Sequence, residues 1–194
     1  TRQSASLPPL DLYWEASAST PISIAKHRLA ERERLAWVVG DFDAPYMAAS
    51  DAAQRLLRRT AEISTDFGCI SGQNGFYLAV LFDDTPRIVL GADALGLFPL
   101  YYWAKGDVCM FGTSPELFKH HSSFVAEPST YGAASVLLIS HISNGQSLYK
   151  GVRRASSAHY VEWTPEGIGE TDANPIRMSD ASFDVPYEIC LERV

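Results

Sequence analysis

Two adjoining stretches decide the fold of this chain: Gly75-Phe76-Tyr77-Leu78-Ala79-Val80-Leu81-Phe82-Asp83, and then Ala92-Asp93-Ala94-Leu95-Gly96-Leu97-Phe98-Pro99-Leu100-Tyr101-Tyr102. Phe76 to Phe82 is apolar at every position, so as a strand it has no face to turn to water and belongs between two layers. Asp83-Asp84-Thr85-Pro86 is a turn, and Arg87–Leu90 is the strand returning from it. Gly96 and Pro99 bracket a tight link into the next strand, where the aromatic pair Tyr101-Tyr102 supplies bulk for an interlayer core.

Outward from this block, Leu100–Trp103 and Val108–Phe111 flank Lys105-Gly106-Asp107, a hairpin signal with Gly in the turn. Ser114 can cap a short helix containing Pro115, Glu116, Leu117 and Phe118, with Pro at its favourable first position. A second helix is expected from about Pro128 to Ile139. Tyr160–Thr164 is expected to be the last strand, followed by a Pro- and Asp-dotted tail. Upstream, Ile22–Leu29 and Leu35–Phe42 are rich in apolar and β-branched residues and are expected strands. Ser50 opens a helix with Asp51 in its first turn, facing the positive end of the dipole. In that helix Ala53, Leu56, Leu57 and Ile63 share one face, and Arg55, Arg58 and Arg59 form a solvated face opposite. The N-terminal stretch is polar and ends in a Pro pair, which suggests an irregular arm. The expected boundaries are an arm over 1–20, one domain over 21–170, and a linker over 171–194. Antiparallel hairpins with interspersed helices make the class α+β.

Composition narrows the function classes. The 194 residues are 46% hydrophobic and 20% charged, which suits one globular domain. A net charge of -7 argues against a surface that coats nucleic acid. No apolar run approaches the roughly 18 residues that a membrane-spanning helix needs, and residues 1–10 have no apolar core of a secretory signal. Cys69, Cys109 and Cys190 are widely spaced, form no CxxC pair and lack a His at metal-ligand spacing. They are expected to be reduced thiols in a cytoplasmic protein, and no metal site is expected. His27, His120, His121, His141 and His159 likewise have no carboxylate or cysteine arranged with them.

The Gly75–Asp83 stretch resembles the central strand of class II glutamine amidotransferases of the asparagine synthetase type. Asp93 to Tyr102 resembles that family's Arg-Asp-x-Leu-Gly-x-x-Pro-Leu-Tyr-Tyr signature, with Ala92 in place of the Arg. Phe111-Gly112-Thr113-Ser114-Pro115-Glu116 stands where the family has Phe-Ala-Ser-Glu. Tyr149-Lys150-Gly151-Val152-Arg153-Arg154 resembles the segment before a Pro-Gly turn, although Ser156 and Ser157 stand here instead. The resemblance implies a four-layer α/β/β/α sandwich of two antiparallel sheets, as in N-terminal-nucleophile (Ntn) hydrolases. Asp93, Gly96, Pro99 and Tyr101 are its structural signature; they identify a fold and not a chemistry.

In that family a cysteine at the mature N-terminus attacks the glutamine side-chain amide, with its own α-amine as base. This chain begins Thr1-Arg2-Gln3-Ser4, none of its cysteines lies near the start, and the family's His-Arg-Gly-Pro-Asp segment is absent. The expectation is a degenerate domain with no catalytic residue. Thr1 is the alternative nucleophile, since threonines with N-terminal amine bases exist. Lys26-His27-Arg28-Leu29 resembles the stretch whose Arg grips the glutamine carboxylate. Val38-Val39-Gly40-Asp41 stands where the family has Val-Asn-Gly-Glu, so Val39 replaces the Asn that helps stabilise the oxyanion. Ser50-Asp51 resembles a pair whose Asp binds the substrate's α-amino group. A vestigial glutamine pocket would therefore comprise Arg28, Gly40, Asp41 and Asp51, although Arg28 also reads as an exposed strand charge and Asp51 as an ordinary first-turn residue.

The resemblance further implies a C-terminal synthetase domain of the same protein, which would carry an ATP pyrophosphatase loop (Ser-Gly-Gly-x-Asp-Ser) and bind ATP and Mg. No cofactor is expected in this domain. Relatives without the nucleophile, such as β-lactam synthetases and lasso-peptide cyclases, use the domain as a platform for the synthetase half. The expected function is such a scaffold within an ATP-dependent amide ligase, without nucleic-acid or membrane partners. Two alternatives stand beside it. One is a domain that binds or senses glutamine or another amino acid. The other is an active glutaminase whose N-terminal Cys is missing from this chain.

Overall fold

The computed structural model describes residues 2–29, 32–42, 51–61, 67–71, 73 and 75–173. A six-stranded antiparallel sheet in the order β11-β10-β6-β5-β4-β3 is its centre. Its strands are β3 (Ile22–Leu29), β4 (Arg32–Phe42), β5 (Gly75–Asp83), β6 (Ile88–Ala92), β10 (His159–Thr164) and β11 (Gly167–Asp172). β5 lies inside this sheet and is buried from Tyr77 to Asp83, as its continuous apolar run requires. The alternating side chains of the sheet build two cores. Ala36, Val38, Ala79, Leu81 and Val89 face α1 (Ala52–Ala61), whose Leu56 and Leu57 are almost wholly buried against them. Leu35, Trp37, Val39, Leu78, Val80 and Leu90 face the other way.

The second core is closed by two smaller sheets. β7 (Tyr101–Lys105) pairs with β8 (Val108–Gly112) and the short β9 (Arg153–Arg154), and Leu100 and Tyr102 enter the core from this side. β1 (Arg2–Leu7) and β2 (Leu10–Glu15) form a hairpin that contributes Leu7, Leu12 and Trp14. Residues 2–15 are therefore no irregular arm, and they share the core expected to begin at residue 21. The apolar–polar alternation Leu10-Asp11-Leu12-Tyr13-Trp14-Glu15 turns Leu12 and Trp14 inward, and the Pro8-Pro9 pair occupies the turn instead of breaking a strand.

Two further expectations are corrected. β10 is not the last strand: β11 pairs with it along its length and crosses the expected linker boundary at residue 171. Gly167 and Gly169 lower its strand propensity, but an exposed edge strand with one partner tolerates them. The helix expected to open at Ser50 begins at Ala52, so Asp51 stands just before it; Ser50, Thr1, Cys190 and residues 174–194 lie outside the described residues. The amide of Ala53 donates to Ser23 Oγ at 3.1 Å, a cap supplied across space by β3. The short helix over Pro115–His120 is a 3-10 helix capped by Ser114, and α2 runs Thr130–Ile139 behind the cap Ser129. Among the described residues no helix is long and apolar enough to cross a membrane.

Candidate functional site

The polar residues that sequence reading singled out do not all meet. β3 and β4 form one long antiparallel hairpin in which Arg28 pairs with Glu33, close to its turn. Gly40 lies seven residues beyond Glu33 on β4, roughly 24 Å away at the rise of an extended strand. Arg28 is exposed and cannot share a pocket with Gly40 and Asp41. Its reading as an exposed strand charge is the one the register supports.

Gly40 and Asp41 instead sit where β4 closes on the start of β5, opposite Tyr77 and Phe76. Gly40 has φ +84° and its amide donates to Pro21 O at 3.0 Å. Asp41 forms an ion pair with Arg55 of α1, whose side chain is 14% exposed against 28% for Asp41. Sequence reading placed Arg55 on a solvated face; its partner stands on another element, so no local spacing marked it, and Asp51, four residues before it, is exposed. One turn further, Arg59 donates to the side chain of Gln73, whose amide group donates to Cys69 O at 2.9 Å. Gln73 O accepts from Ala94 N at 3.4 Å, which carries this polar belt to the loop after β6.

That loop is organised by Asp93, which is 3% exposed. Its carboxylate accepts from the amides of Leu95 (3.2 Å), Leu97 (2.9 Å) and Phe98 (2.6 Å). Gly96 turns the loop at φ +68°, a value that suits glycine. Ser157 Oγ donates to Leu95 O at 3.0 Å and Arg154 to Gly96 O at 3.3 Å, which ties the loop to the segment after β9. Pro99 then leads into β7, where Tyr101 is half-buried and Tyr102 donates to Glu170 at 2.6 Å. Phe98 stacks edge-on against Phe76, ring centroids 4.8 Å apart, and so joins the Asp93 loop to the β4–β5 end. Phe76, Leu95 and Leu97 remain more than half exposed.

The result is a shallow polar rim of Asp41, Arg55, Arg59 and Gln73 beside an apolar shelf of Phe76, Leu95 and Leu97. Val39, next to Gly40, points into the intersheet core and is 7% exposed, so its side chain presents neither a donor nor an acceptor. Among the described residues no group of three His, Cys, Asp or Glu is placed to hold a metal ion. Among the described residues, the Nδ1 atoms of His121, His141 and His159 each form a local hydrogen bond.

Residues 43–172 match a protein family described as a glutamine amidotransferase domain. No curated protein matches the chain. Among solved structures it is similar to the allosteric regulatory enzyme of purine biosynthesis, at 12% identity and a TM-score of 0.46; the match covers 76% of this chain and 30% of that one. The chain thus spans less than a third of that protein's length.

Proposed function

Because this chain belongs to the glutamine amidotransferase domain family, we propose that it is a degenerate member of the asparagine synthetase type, which does not hydrolyse glutamine and serves as a scaffold for an ATP-dependent amide-ligase half. Val39 carries this reading. Where the resembling family places an Asn that donates to the oxyanion, this side chain is aliphatic and buried in the core. Loss of one such donor typically costs about 10²–10³ in rate. Two further observations support it. The Asp41 carboxylate is already engaged by Arg55, and Arg28, the candidate grip for the substrate carboxylate, stands at the far end of the β3–β4 hairpin.

In this reading the domain is an Ntn-type sandwich, with α1 as one outer layer and α2 the helix available for the other. ATP and Mg are used by the synthetase half and not by this domain, and the protein acts in the cytoplasm. The parent ligase is of the β-lactam synthetase or lasso-peptide cyclase kind, in which the attacking amine comes from the substrate. The test is ammonia release from glutamine by the purified chain, with Thr1→Ala as the paired control. No ammonia above background is the expected result. Ammonia that disappears in Thr1→Ala would overturn the reading and make Thr1 the nucleophile. A gene without the Ser-Gly-Gly-x-Asp-Ser loop downstream of Val194 would sink the ligase half.

A second reading, an amino-acid-binding domain, is favoured by the rim of Asp41, Arg55 and Gln73, where a carboxylate and a guanidinium, 28% and 14% exposed, stand side by side. Isothermal calorimetry with glutamine that shows no heat up to millimolar ligand removes it.

A further inference from the structure

β11 is a weakly secured strand at the edge of the six-stranded sheet. β10 is its partner in that sheet, and Glu170 is its one residue that is not exposed. Gly167 and Gly169 have open space where a side chain would begin. Such segments lie at the low end of local stability. Glu170 stands opposite Val161, whose side chain is in the intersheet core, so it lies on the inner face of the strand. Its carboxylate accepts from Tyr102 of β7 at 2.6 Å and from the amide of Ser156 at 3.3 Å. Burial, and then the carboxylate beside it, push the Tyr102 phenol up, so it keeps its proton and remains the donor.

The chain from Arg154 to Ser157 also reaches the loop after β6. Arg154 donates to Gly96 O at 3.3 Å and Ser157 Oγ to Leu95 O at 3.0 Å. The fit is close: a Cβ added to Gly96 would lie 2.7 Å from Ser157 Oγ. The next residue, Ala158, has φ +58°, a left-handed value that residues with a side chain rarely adopt. Its neighbours hold it there. His159 N donates to Ser156 O at 3.3 Å, and His159 Nδ1 is hydrogen-bonded to Ser157 O at 2.9 Å. The amide of Ala173, just past β11, donates to Ala158 O at 2.7 Å. A strained residue persists where its surroundings over-determine it, and such residues cluster at switching segments. Two of the holds on this turn, from Glu170 and Ala173, depend on β11 being in place.

We propose that the turn Ser156–His159 is a strap that couples the edge strand β11 to the Asp93 loop beside the candidate site. With β11 docked, Glu170 and Ala173 keep Ala158 in its strained form and Ser157 on Leu95. When β11 leaves β10, Ala158 relaxes and Ser157 releases the loop. The shelf of Leu95 and Leu97 is then free to shift against Phe76. The strap sets the order of the shelf whichever reading of the rim is right.

Hydrogen exchange of this chain, resolved by NMR at the amides of Leu95, Leu97 and Phe98, tests the coupling. Glu170→Ala removes the strap's hold on β11 and should speed exchange at these amides by about tenfold, the scale of one lost hydrogen bond. Ser157→Ala cuts the strap at its other end and should do the same. In the Ser157→Ala background, Glu170→Ala should add nothing at the loop, because both act along one path. A general loss of stability would instead add in either background, and that result overturns the proposal. So does acceleration by Glu170→Ala that stays within β10 and β11. Ala158→Gly removes the strain that release would relieve and should slow the loop amides; faster exchange there would also overturn the coupling. Glu170→Gln keeps the side chain's size and is the milder variant if Glu170→Ala does not fold. It should give the same order of effects at smaller amplitude, and an unchanged loop in both it and Ser157→Ala counts against the strap.

Discussion

A β-carbon added to Gly40 would stand 2.1 Å from the carbonyl oxygen of Phe76, because Gly40 takes φ +84° where β4 closes on the start of β5. Both the positive φ and the contact exclude a side chain, and the obstacle is backbone that cannot rotate aside. Gly40→Ala should therefore cost about 2–4 kcal/mol, the sum of a left-handed strain term and a local shift of β5. For a chain of this length that lowers Tm by roughly 5–15 °C. Thermal unfolding followed by circular dichroism checks it. A variant that melts with the wild type would mean that the strand ends are further apart than described.

The Asp41–Arg55 pair fastens α1 to the end of β4. With both side chains mostly buried, it should be coupled more strongly than a surface pair. A double-mutant cycle of Asp41→Asn and Arg55→Met, read by urea unfolding, should give a coupling energy of about 1–2 kcal/mol. Independent effects would show that the ion pair does not hold the helix in solution.

Asp93 satisfies three backbone amides from a position that water barely reaches. Asp93→Ala leaves all three without their acceptor and should destabilise by about 3–5 kcal/mol. Asp93→Asn keeps an acceptor oxygen for part of the set and should cost about half as much. Equal losses for the two substitutions would mean that the charge matters and the geometry does not.

The parts of this fold that were legible in the sequence are those where one strand carries its own signal. The apolar run of β5 and the bounds of β3 follow from the local residue pattern, and Gly96 and Pro99 mark the loop as a tight link, whereas Asp93 was singled out only by the resemblance. The β1–β2 hairpin was hidden because the Pro8-Pro9 pair suits a turn and a break equally well, and the burial of Leu12 and Trp14 that decides between them is a tertiary fact. β11 was hidden by its glycines. The separation of Arg28 from Gly40 was within reach, since a turn between two adjacent strands sends its near and far residues to opposite ends. The partnership of Asp41 with Arg55 was not, because it depends on which end of the sheet the helix crosses.

The turn between β5 and β6 has a pH signature. Burial pushes the Asp83 carboxyl up, but hydrogen bonds from the hydroxyl and amide of Thr85 and from Arg87 at 2.9 Å outweigh it, and the net effect holds the group below its ordinary value of 3.8. A carboxyl whose folded value is depressed stabilises the fold fully above its unfolded value, and that stability is lost as pH falls through the folded one. The stability difference between wild type and Asp83→Asn should therefore be steady above about pH 5 and shrink below about pH 4. Urea unfolding at a series of pH values measures it. A difference that grew on acidification would require a raised carboxyl, and with it a turn in which Thr85 and Arg87 do not reach Asp83.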